Sequence, residues 1–96
     1  MVTIFDRYGI MVGMTDGDAI FDRYRTLVGY VDTNTVYDRI RSMIGHVRPA
    51  SFGSEVFDRY GNKIGSYENG MIKDRYNNMI GGCAIPEGAA YLLLIR

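Results

Sequence analysis

The decamer Val56-Phe57-Asp58-Arg59-Tyr60-Gly61-Asn62-Lys63-Ile64-Gly65 decides how this chain folds, because it recurs. Gapless counterparts span 4–13, 20–29, 36–45 and 72–81, and all five carry Asp-Arg at the third and fourth positions and Val-Gly or Ile-Gly at the close. Their starts lie 16, 16, 20 and 16 residues apart. Self-similarity at a fixed period marks a repeat architecture in which each unit is one supersecondary element.

Each unit reads as two strands. The first, as in Thr35-Val36-Tyr37-Asp38-Arg39-Ile40, is rich in β-branched and aromatic residues, and the second, as in Met43-Ile44-Gly45-His46-Val47, is short and apolar. Turn-forming pairs stand between the strands of a unit (Gly9-Ile10, Arg25-Thr26, Arg41-Ser42, Gly61-Asn62, Asn77-Asn78) and between units (Asp16-Gly17, Thr33-Asn34, Asn69-Gly70). Asn-Gly and Asp-Gly suit the type I′ turn of a hairpin, which reverses the chain.

Two architectures compete for such a repeat, a parallel β-solenoid and an antiparallel meander. A solenoid stacks Asp6, Asp22, Asp38, Asp58 and Asp74 at one strand spacing, ~4.8 Å, where like charges repel. A meander places a strand between equivalent positions and so roughly doubles that distance. Charge and turns together favour an all-β antiparallel meander of about ten short strands over residues 1–83, as a curled sheet, barrel or sandwich. The longer third interval carries Pro49, which cannot donate to a central ladder, so 47–54 reads as a loop or corner. Which face is buried depends on loop length: a two-residue loop puts Ile20 and Val28 on opposite faces, a three-residue loop on the same face.

The segment 84–96 breaks the pattern. Pro86 and Glu87 form a helix-start signal ahead of an Ala/Leu-rich run, which favours a short helix over a strand. Burying one leucine is worth roughly 1.5–3 kcal/mol. Tyr91, Leu92, Leu93, Leu94 and Ile95 must therefore cover a sheet face, plug a curled sheet or enter another subunit, and they are candidate interaction residues.

Composition excludes several functions. The chain has 96 residues, one histidine, and eleven Lys plus Arg balancing eleven Asp plus Glu, so it lacks the basic excess that nucleic acid or an anionic membrane attracts. Cys83 is the one cysteine, which leaves no internal disulfide and no cysteine-based zinc site. No phosphate loop, nucleophile elbow or metal motif appears, so no enzyme activity, metal or cofactor is expected. No apolar run reaches the roughly 18 residues of a membrane span and no secretory pattern opens the chain, so the expected setting is cytoplasmic.

The repeated charges and rings are the remaining candidates. Adjacent strand residues point to opposite faces, so each Asp and Arg of a pair is expected to find its partner on a neighbouring strand or in turn backbone. Arg7, Arg23, Arg39, Arg59 and Arg75, together with Phe5, Phe21, Tyr37 and Phe57, form a candidate ligand face for a glycan or an anion. Cross-strand packing of the rings is the simpler reading, with the glycines at 13, 29, 45, 65 and 81 leaving room for a ring from the next strand.

The stretch Phe57-Asp58-Arg59-Tyr60-Gly61-Asn62-Lys63-Ile64-Gly65 resembles the (Tyr/Phe)-Asp-x-x-Gly unit of bacterial YD-type (Rhs-like) hairpin repeats. It is also similar to short bacterial proteins built from Tyr-x-x-x-Gly-x-x-Ile-Gly units with an Ala/Leu-rich tail. Both resemblances imply hairpins in a continuous sheet and a scaffold role, and neither brings a catalytic residue. The expected function is a non-enzymatic structural or protein-interaction module. Self-association is expected from unpaired terminal strands and the apolar tail.

Overall fold

The computed structural model describes residues 1–95. Ten strands follow one another: β1 (Val2–Asp6), β2 (Met11–Thr15), β3 (Ala19–Asp22), β4 (Leu27–Asp32), β5 (Thr35–Asp38), β6 (Met43–Ala50), β7 (Gly53–Asp58), β8 (Lys63–Glu68), β9 (Met71–Asp74) and β10 (Met79–Gly82). Each pairs antiparallel with its sequence neighbours, and β1 pairs with β10 to close a barrel. A solenoid is thereby excluded. The Cα envelope measures 30 × 30 × 18 Å, a wide and shallow ring whose height matches strands of about five residues at ~3.3 Å each. Closure also removes the unpaired terminal strands, one of the two grounds for expecting self-association, the other being the apolar tail.

The face question resolves through a bulge. Ile20 lies opposite Gly29 but Phe21 opposite Leu27, so Val28 is one residue too many on β4. The same slip recurs in the other four units and leaves Val12, Ile44, Ile64 and Ile80 as the extra residues. A bulge bends its strand and sharpens the twist, and one per unit helps curl a short sheet into a ring. It also lets the extra Val or Ile pack against the core beside the glycine that follows.

Three inward rings result. Ile4, Ile20, Val36, Val56 and Ile72 have no exposed surface at all. The glycines 13, 29, 45, 65 and 81 are buried beside them. Thr15, Val31, Val47, Tyr67 and Cys83 form the third ring. Outward residues alternate with these, among them Phe5, Phe21, Tyr37 and Phe57, and Phe57 lies opposite His46 and Lys63 on its neighbours.

Residues 47–54, read above as a loop or corner, instead belong to β6 and β7 except for a two-residue turn at Ser51-Phe52. The four extra residues lengthen this hairpin by two pairs, Pro49 with Ser54 and Ala50 with Gly53. Pro49 is tolerated because it lies on this extension rather than in the middle of the ring's ladders.

Ten strands leave a wider lumen than lining side chains alone fill, and the tail fills it. After Cys83 the chain runs through a 3-10 helix, Pro86–Ala90, into α1 (Tyr91–Leu94). Ala89 and Ala90 are fully buried, and Tyr91 and Leu92 nearly so. The expected short helix is present, and of its three possible destinations it takes the inside of its own barrel.

The closing glycines are explained by this plug. A Cβ on Gly65 would lie 2.5 Å from Leu92 Cδ1, on Gly45 2.7 Å from Leu93 Cδ1, on Gly29 2.7 Å from Leu94 Cδ2, and on Gly13 2.7 Å from Ile95 Cδ1. Four consecutive tail residues thus seat in four consecutive petals, in reverse chain order. Four residues make just over one helical turn and rise only about 4.5 Å between first and last, so they meet a ring of notches at one level. The same Cβ atoms would also strike a backbone carbonyl oxygen of the adjoining strand, that of Tyr37 for Gly29 and of Lys73 for Gly65. The room left by these glycines therefore serves the tail and the close strand approach, and not a ring from the next strand.

Candidate interaction site: the crown

One end of the barrel, the crown, carries the five Asp-Arg turns. The structure places each turn two residues earlier than the sequence pairs suggested, on Arg-Tyr-Gly in the first unit. Asp6 Oδ1 accepts the backbone N–H groups of Tyr8 (2.9 Å) and Ile10 (3.0 Å), while the Gly9 N–H donates to the Asp6 carbonyl. The carboxylates of Asp22, Asp38, Asp58 and Asp74 each accept the matching two N–H groups. This is the Asx form of a turn, in which a carboxylate takes the donors that no ladder reaches. The aspartates are therefore held by their own turns and not by cross-strand arginines.

The fourth turn residue has positive φ throughout: Gly9 (79°), Arg25 (66°), Arg41 (66°), Gly61 (85°) and Asn77 (69°). That is the three-residue hairpin loop with a left-handed residue at its end. The hydrogen bonds to the two Asp carboxylates at Asp16 and Asp58 have an electrostatic consequence. The Asn62 N–H, seconded by Tyr60, holds Asp58 below the ordinary carboxylate range, and the Ala19 and Asp18 N–H groups do the same for Asp16 at the opposite end.

The arginines lie over the residue that follows them. Arg7, Arg23, Arg59 and Arg75 stack on Tyr8, Tyr24, Tyr60 and Tyr76 at 4.9–5.2 Å from the ring centroids. Arg41 covers Tyr30 at 4.2 Å. These four crown tyrosines are 72–76% exposed, and Ile40 occupies the fifth place at 77%. Of the nine candidate ligand-face residues, then, the five arginines stand at the crown and Phe5, Phe21, Tyr37 and Phe57 lie on the barrel wall. Of these, Phe5 and Arg7 line one hollow of about 420 Å³, with Met71 and Met79 beside them.

Inside this rim the floor of the crown is apolar. A hollow of about 580 Å³ between the second and third petals is lined by Leu27, Val28, Ile44, Leu93 and Leu94 below and by Asp22, Thr26, Asp38, Arg39 and Ile40 at its edge. A smaller one of about 290 Å³ lies among Val12, Arg23, Tyr24 and Ile95. The tail residues proposed from sequence as an interaction surface are half-buried at 93–95 and form this floor. The row Tyr8, Tyr24, Tyr60 and Tyr76, interrupted by Ile40, is visible in the sequence but reads there as strand residues; the structure puts it on the turn tips, and an Asp whose side chain can reach N–H groups two and four residues on was the available sign of where the turn falls.

The opposite end, the base, carries type I′ turns at Thr33-Asn34 and Asn69-Gly70, with φ positive at both residues of each. A hollow of about 490 Å³ opens there, with Asp18, Asp32 and Glu87 beside Val31, Val47, Pro49 and Pro86. The Tyr67 hydroxyl donates to the Cys83 carbonyl at 2.8 Å, and burial pushes both the Tyr67 phenol and the Cys83 thiol up. Cys83 is buried in the third inward ring, and its raised pKa keeps it in the thiol form at neutral pH. Among the described residues, no three His, Cys, Asp or Glu side chains gather as a metal group, and no helix is long and apolar enough to cross a membrane.

A closed ring of five antiparallel hairpins around a helical plug defines a small structural repeat module. The chain belongs to the family described as 5-fold beta-flower protein, whose family model matches residues 2–82. The match supports a small β repeat protein but not the YD-type likeness read over about residues 4–81. That likeness rests on the hairpin pattern of single units, whereas fivefold closure is a property of the whole ring. No curated protein and no solved structure matches the chain.

Proposed function

We propose that this protein is a non-enzymatic interaction module that presents the crown to a protein partner. The observation that carries the reading is the ring of Tyr8, Tyr24, Tyr60, Tyr76 and Ile40 tips. Each is largely exposed, yet each sits on a turn fixed by an Asx hydrogen-bond pair. Tyrosine and arginine dominate binding hot spots, and side chains held in place before contact lose little entropy on docking. The apolar floor inside a charged rim has the layout of an interface core and its rim.

Hydroxyl-radical footprinting in host-cell extract against dilute purified protein tests this. The crown tyrosines are expected to be protected in extract, while Tyr37 on the wall reacts equally in both. Crown tyrosines equally reactive in both samples would end the proposal.

A further inference from the structure

We infer that the crown's partner is a second copy of this chain, docked head to tail so that the base of one barrel sits on the crown of the next. This rests on the crown being an interface and adds the identity of what it binds. The two ends differ in charge. The crown holds Arg7, Arg23, Arg25, Arg39, Arg41, Arg59 and Arg75 against five aspartates, an excess of positive charge. The base holds Asp16, Asp18, Asp32 and Glu87 against Arg48 and the Met1 ammonium, an excess of negative charge. The remaining lysines are neutralised on the wall, Lys63 by Glu55 at 2.9 Å and Lys73 by Glu68 at 3.7 Å. Base meets crown with opposite signs, whereas crown on crown or base on base repels.

The shapes differ in the same sense. The β6–β7 hairpin runs two residue pairs further than an ordinary unit, about 7 Å at strand rise, and carries Phe52 at its tip, 82% exposed. The crown offers hollows between petals, the larger floored by Leu93 and Leu94 with Asp22, Asp38 and Arg39 at its edge. An exposed ring at one end, beside Ser66 and Glu68, and a leucine-floored hollow at the other form a heterologous pair, which joins copies in a row rather than closing a symmetric dimer. A face 30 Å across has a projected area of about 700 Å², so contact over most of it is needed to approach the ~800 Å² per partner of an ordinary specific interface.

Sedimentation velocity on the full chain, from low micromolar to millimolar and at two salt concentrations, tests the inference with two variants. Phe52→Ser blocks the base. Arg39→Glu with Ile40→Ser blocks the crown, and all three side chains are exposed, so the fold is spared. The wild type is expected to associate progressively and less at high salt, and each variant alone to associate at least about tenfold more weakly. The two variants mixed are expected to form a one-to-one pair that grows no further, since each supplies the end the other lacks. A wild type that stays monomeric overturns the inference, and protection of the crown in extract would then show that the crown reading itself survives with another partner. Association untouched by Phe52→Ser, or a mixture that forms no pair, overturns it as well.

Discussion

Gly65 and Leu92 allow the plug to be tested against the barrel wall. Leu92 is 9% exposed, and truncating a buried leucine to alanine costs about 2–5 kcal/mol. For a domain of this size, each kcal/mol moves the melting temperature by roughly 4–8 °C, so Leu92→Ala is expected to lower it by roughly ten degrees or more. Gly65→Ala adds a methyl that meets two things at once, the Leu92 side chain at 2.5 Å and the Lys73 carbonyl oxygen of the neighbouring strand. Overpacking of this kind costs about 1–3 kcal/mol. The flexible leucine end can yield, but the strand cannot without loosening its ladder. In a double-mutant cycle followed by urea unfolding, Leu92→Ala is therefore expected to recover less than half of the Gly65→Ala loss. Full recovery would show that the glycine exists for the tail alone, and a Leu92→Ala loss within about 0.5 kcal/mol would show that the tail is not core.

Three further outcomes follow from the turns and the base. Arg25 and Arg41 both hold φ of 66°, a conformation that costs a side chain about 1 kcal/mol, so Arg25→Gly is expected to raise the melting temperature by a few degrees; Arg41→Gly is expected to gain less because it loses the stack on Tyr30. Asp16 and Asp58 have folded-state pKa values below the ordinary one, so their stabilisation is complete above about pH 4 and is lost as pH falls through the depressed values; Asp16→Asn with Asp58→Asn is expected to flatten acid unfolding followed by circular dichroism, and an unchanged acid limb would refute it. Tyr67→Phe leaves the buried Cys83 carbonyl without its donor and is expected to cost about 1–3 kcal/mol in chemical denaturation, with a neutral result counting against the hydrogen bond.

Much of the architecture was legible because it is local. A hairpin is specified within its own sixteen residues, so period, strand direction and turn residues could be read directly, as could the helical start at Pro86. Two features were not. Closure depends on β1 meeting β10, a contact between the two ends of the repeat array that no single unit encodes. The plug depends on one row of tail side chains matching glycines in four separate units, and no periodicity within the tail points to them. Pro49 misled for a related reason: its cost depends on where in a sheet it lies, which only the completed ring defines. At the site, hydrogen bonding of the aspartates to turn backbone was legible from the repeat, whereas the expected cross-strand pairing of Asp with Arg was not what holds them, because the carboxylates are taken by their own turns' N–H groups.

The seam between first and last strands has its own consequence. Other neighbouring strands share three to six residue pairs, whereas β1 and β10 share two, Phe5 with Gly82 and Asp6 with Gly81. The five loops can therefore assemble early from nearby pieces, and joining the ends comes last, after the slowest search. With the fewest pairs in the ring, this join is the expected starting point of thermal opening, and amide deuterium uptake is expected to begin there and travel outward, so that a single clasp governs how long the flower stays shut.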